Sequence, residues 1–126
     1  MRTRKTRTDR RLLGTWRSDR RRTLRDLRFP RHVPLKRQAP LRAIFGKLRL
    51  TYTRSRVRLS LDDWRAVRHY EVLASDSTSV AIRFHDELAD EWLIQHIHFD
   101  PKDADRYWVS IGFGREWFTR VRQYSV

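Results

Sequence analysis

Three groups of residues have types and spacings that could do chemistry. In Gln95-His96-Ile97-His98, the two histidines fall on the same face of an extended chain, a spacing that lets both imidazoles reach one metal ion or a haem iron. A complete site would need a third ligand from a neighbouring strand, and His69, His85, Glu71 and Asp86 are the candidates. Arg68 shares a strand face with Ala66, Tyr70 and Val72; if that face is inward, the guanidinium requires an anion, either a Glu or the carboxylate of a ligand. Arg2, Arg4, Lys5, Arg7, Arg10 and Arg11, with Arg20, Arg21 and Arg22 behind them, could neutralise several phosphates of a nucleic acid or another polyanion without reading sequence.

Signals for catalysis are sparse. Asp62-Asp63 and the cluster Asp86, Glu87, Asp90 and Glu91 fall in turns, where carboxylates are ordinarily solvated charges rather than an acid and base with separated pKa values. Gly112-Phe113-Gly114 lacks the third glycine of a dinucleotide loop, and no nucleophile elbow, phosphate loop or His-Glu-x-x-His motif occurs. The chain has no cysteine, which removes disulfides, thiolate metal sites and cysteine nucleophiles. The expectation is a non-enzymatic, cytoplasmic protein.

The elements that must position these groups follow from charge and periodicity. Residues 1–47 hold 17 Lys or Arg against three Asp, while residues 48–126 hold twelve basic and twelve acidic residues, so the whole net charge of +14 lies in the first third. Residues 1–11 read as a basic disordered arm, residues 12–122 as the folded domain and residues 123–126 as a tail. Leu12 to Ser18 reads as a first strand. Residues 19–46 show no period of two, and Pro30, Pro34 and Pro40 interrupt them, so an irregular excursion with one or two helical turns is expected.

From Lys47 the pattern alternates. Leu48, Leu50 and Tyr52 oppose Arg49 and Thr51, and after a turn at Arg54-Ser55 the residues Val57, Leu59 and Leu61 oppose Arg58 and Ser60. Further strands read as Trp64 to Leu73, Val80 to His85, Trp92 to Phe99, Tyr107 to Phe113 and Glu116 to Arg122, with Asp100 to Asp105 as a turn. Eight short strands joined by polar turns predict an all-β, antiparallel up-and-down barrel. Tyr52, Tyr70, Phe84, Trp92, Tyr107 and Phe118 could all turn inward, and their bulk would leave only a shallow mouth.

Gly14-x-Trp16 in the first strand, the long connection after it, the run of hairpins and an Arg at the end of the last strand resemble the calycin superfamily, the lipocalins and their short bacterial relatives. The resemblance spans residues 12–122. It implies a lipocalin-like barrel in which Trp16 closes one end and Arg120, or else Arg122, stacks across it, with Gly14 completing the motif. The long connection has the placement of the helical lid that fatty-acid-binding proteins carry between their first two strands. The leading functional expectation is binding of a small apolar or amphipathic molecule at the open end by Arg68, Tyr70, Trp92 and Tyr107. The alternatives are a nucleic-acid-associated protein using residues 1–47, and a metal- or haem-binding barrel centred on His96 and His98.

Overall fold

In a computed structural model the structure describes residues 8–122. Strands β1 (Gly14–Ser18), β2 (Arg49–Tyr52), β3 (Arg56–Leu61), β4 (Trp64–Ser75), β5 (Ser79–Asp86), β6 (Glu91–Asp100), β7 (Asp103–Ser110) and β8 (Arg115–Arg120) pair in sequence order. β8 closes on β1, so all eight antiparallel strands form one barrel without a sheet edge. Alternation decides which side chains face in: Leu50, Tyr52, Val57, Tyr70, Val72, Val80, Ile82, Ile97, Phe99, Tyr107, Val109 and Phe118 make one buried cluster with Leu12 and Trp16. The turn residues Asp62 and Asp90 take positive φ, as short hairpin connections demand.

Aromatic rings crowd the core around Trp16. Trp16 packs edge-on against Tyr107 at 4.7 Å, and Tyr107 stacks on Phe118 at 5.0 Å. Polar tips in this layer are matched: the Tyr52 and Tyr107 hydroxyls are 3.1 Å apart, and Tyr70 donates to the Thr53 carbonyl. Burial pushes the Tyr52 hydroxyl up to about 12 and the Tyr107 hydroxyl well above the usual phenol range, so both stay protonated.

Two helices occupy the connection between β1 and β2. In α1 (Arg20–Arg25) Asp19 caps the N-terminus by accepting from the Arg22 amide, and buried Thr23 accepts the Trp117 amide through its hydroxyl at 2.9 Å. The Trp117 indole donates to Asp26 at 2.7 Å, which straps the helix to the outside of β8. Gly114 lies against this strap with φ +147°, and a Cβ there would meet the Asp26 carbonyl at 2.5 Å. α2 (Leu35–Ile44) buries none of its residues.

The helical segments fall in the connection where they were expected; α2 runs through Pro40, which leaves the Lys36 carbonyl without its helical donor, and that residue is exposed, where water can take the donor's place. Two strand boundaries are corrected. β1 begins at Gly14, and Leu12 is instead a fully buried plug whose carbonyl accepts the Trp16 indole N–H. β7 starts at Asp103 and ends at Ser110, because a register shift at Phe99–Asp100 shortens the turn and the carboxylates of Asp103 and Asp105 find arginine partners. Of residues 1–11, read from the sequence as an arm, Asp9 is buried and Arg11 is docked on the barrel, as described below, while residues 1–7 and 123–126 lie outside the described residues.

Candidate functional site

The two ends of the barrel differ. At the closed end, Trp16 is opposite Arg120 in the strand register, and the guanidinium lies 4.2 Å from the indole centroid. Arg120 also donates to the Leu13 and Arg11 carbonyls at 2.6 Å each and to Asp105 at 2.9 Å. Hydrogen bonds from Arg122 and then Arg120 hold the Asp105 carboxyl below its usual range. Gly14 has φ +115°, and a Cβ on it would stand 3.0 Å from the Arg120 Nη1, so the Gly-x-Trp spacing is needed for the guanidinium to cross the strand. Arg11 adds a second cation: it pairs with Asp9 at 2.8 Å, donates to the Asp76 and Ser77 carbonyls and lies over Phe99.

Toward the other end the inward face is thinner. Leu50, Tyr52, Val57, Leu59, Arg68, Ile82, Phe84 and Gln95 enclose a cavity of about 50 Å³, open toward solvent. Among the described residues Arg68 has no carboxylate partner; its guanidinium lies over the Phe84 ring, 5.6 Å from the centroid. A cavity this small has room for a polar head group or one or two waters but not for a hydrocarbon chain. Glu116, on the inward side of β8, accepts from the Ser18 hydroxyl at 2.9 Å, and burial raises its carboxyl above the ordinary range.

Of the four residues expected to contact a ligand, the structure brings only Arg68 to this cavity. Tyr70 and Tyr107 are inward but are 1% and 0% exposed, with their hydroxyls already bonded in the core. Trp92 is 50% exposed and lies on the outer face, where it packs on His85 and under the Arg83 guanidinium at 4.6 Å. Phe84, expected to turn inward, lines the cavity, whereas Leu59 and Gln95 were not named as contacts. Gln95 shares a strand face with the core residues Ile97 and Phe99, and that parity was the available signal.

His96 and His98 share the outer face of β6, with ring centroids 6.4 Å apart and planes nearly parallel. His98 stacks on Trp108 at 4.1 Å, and Arg115 lies 4.0 Å over Trp108 from the other neighbouring strand. Burial, followed by the proximity of His96 and Arg115, lowers the His98 pKa. Among the described residues no group of three His, Cys, Asp or Glu side chains could hold a metal ion. His69 and His85 lie on β4 and β5, and His85 contacts Asp90. Of the basic arm, Arg10 and Arg11 are described, with Arg11 engaged at the closed end; Arg2, Arg4, Lys5 and Arg7 lie outside the described residues.

The chain matches no protein-family model, no curated protein and no solved structure.

Proposed function

We propose that the protein is a lipocalin-like, non-catalytic barrel that binds the acidic head of a small amphipathic molecule at its open end. The observation that carries this reading is Arg68, a cation turned into an apolar barrel interior without a carboxylate partner among the described residues. A buried or half-buried guanidinium is stabilised by a charge-assisted hydrogen bond to a carboxylate, and an amphipathic acid would supply one. The filled aromatic layer beneath keeps the head shallow, so the tail lies outward along Leu59, Phe84 and Leu93 toward the rim formed by Trp64. The eight-strand closed meander and the Trp16–Arg120 plug support the lipocalin-like part of the proposal.

The test is calorimetric titration with dodecanoate, and with dodecanol as its uncharged counterpart. Dodecanoate binds the native chain, dodecanol binds at least tenfold more weakly, and Arg68→Gln removes most of the difference, as expected for a charge-assisted bond of about 1.5–3 kcal/mol. Equal binding of acid and alcohol, or an acid preference that survives Arg68→Gln, would overturn the reading.

A further inference from the structure

The outer wall formed by β2, β3 and β4 presents a second, unrelated feature. Arg49, Arg56, Arg58 and Arg65 all alternate outward there and are exposed, and Arg17 on β1 flanks them. The register places Arg17 directly opposite Arg49, Arg49 opposite Ser60, and Ser60 opposite Arg65, so one row across four strands carries three guanidinium groups. The adjacent row is Thr15, Thr51, Arg58 and Val67. Arg49, Arg58 and Arg65 together line a shallow groove of about 300 Å³ with Thr51 and Ser60.

Like charges directly opposed on neighbouring strands destabilise a sheet, and no carboxylate on this wall offsets them among the described residues. Asp62 and Asp63 sit in the turn beyond it, where Asp62 is engaged by Lys47, and Glu71 at its far end is engaged by Arg83. Other arginines of the barrel are placed differently: Arg83 on β5, Arg106 on β7 and the inward Arg120 all have acidic partners. Among the described residues this row of arginines has no carboxylate partner, though Arg17 donates to the Gly46 carbonyl and Arg65 to the Asp62 and Trp64 carbonyls; interleaved with hydroxyls, it has the chemistry of a phosphate-array contact. The wall's other outward side chains, Thr15, Thr51, Ser60, Val67 and His69, include no Trp, Tyr or Phe ring to stack on an unpaired base or to seat in a lipid interface.

We propose that the β2–β4 wall binds the phosphate backbone of a nucleic-acid duplex, independently of sequence and of the ligand mouth. The contacts then lie on barrel strands that follow residue 47, outside the segment that carries the net charge.

The test is fluorescence anisotropy of a labelled DNA duplex of about 20 base pairs, titrated with the full chain over a range of salt concentrations. The comparison is with the triple variant Arg49→Gln, Arg58→Gln, Arg65→Gln. The native chain binds with an affinity that falls steeply as salt rises; the triple variant binds at least tenfold more weakly near 0.1 M salt and loses about three from the salt slope, one per phosphate contact. Because the three side chains are exposed, the circular dichroism spectrum is unchanged and the thermal midpoint rises with the relief of repulsion. An unchanged salt slope in the triple variant would place binding on the N-terminal arm and overturn the proposal. So would absence of duplex binding at low salt, or binding to anionic phosphatidylglycerol vesicles but not to the duplex.

Discussion

The two ends of this barrel use arginine in opposite ways. At the closed end Arg120 has an indole face, two carbonyls and a carboxylate, and Arg11 has Asp9 and two further carbonyls. At the open end Arg68 has an aromatic ring and, among the described residues, no acid. The same side chain is a structural fastener where its donors are matched and a candidate binding group where they are not. The aromatic residues divide along the same line: Trp16 is 0% exposed in the plug, whereas Trp64 and Trp92 near the mouth are 46% and 50% exposed.

Mutations can break this contrast. The largest effect is expected at Trp16: Trp16→Ala should lower the free energy of unfolding by about 3–5 kcal/mol, whereas Trp92→Ala should change it by less than about 1 kcal/mol. Urea denaturation followed by circular dichroism measures both, and equal losses would mean that the plug is no more structural than the rim. Next come the two inward arginines. Arg120→Met strands the Arg11 and Leu13 carbonyls, leaves Asp105 with Arg122 alone, and should cost about 2–4 kcal/mol. Arg68→Met, which removes an unpaired cation from an apolar lining, should be neutral or slightly stabilising in the same titration.

The smallest effect concerns Glu116. Its folded-state pKa is raised by burial, so the native chain holds this proton more tightly than the unfolded chain does. Stability from this group is present below the ordinary carboxyl value of 4.5 and is lost as pH rises through the raised value. Glu116→Gln should therefore raise the thermal midpoint at pH 7 and leave it nearly unchanged at about pH 3, where both side chains are neutral. A variant less stable than the native chain at pH 7 would show that the charged form is the one the fold prefers.

Much of the fold was legible residue by residue. The alternation of Leu48, Leu50 and Tyr52 with Arg49 and Thr51, and its mirror in Val57 to Leu61, gave the β2–β3 hairpin with its inward side chains, because a strand exposes alternate residues to opposite environments. The resemblance carried by Gly14-x-Trp16 implied the plug with Arg120 or Arg122 across it, and the guanidinium over the Trp16 ring is that of Arg120. β7 was misread at its start because Asp103-Ala104-Asp105 has the composition of a loop; the charge becomes acceptable in a strand only when Arg106, Arg120 and Arg122 are beside it. Of the four residues expected to contact a ligand, only Arg68 was legible as a lining residue of the cavity: Trp92 lies one residue out of phase with the inward set of β6, and apolar residues on both faces of that strand mask the parity that Gln95 shares with Ile97 and Phe99.

By itself, the sequence determined the all-β class, the number of strands and the concentration of net charge in residues 1–47, because these depend on composition and on a period of two along the chain. Only the tertiary structure decided which aromatic residues fill the barrel, that Arg11 belongs to its closed end, and that Arg17 faces Arg49 across a strand pair. Those facts are set by register and closure, which join residues far apart in the chain and leave no local mark on it.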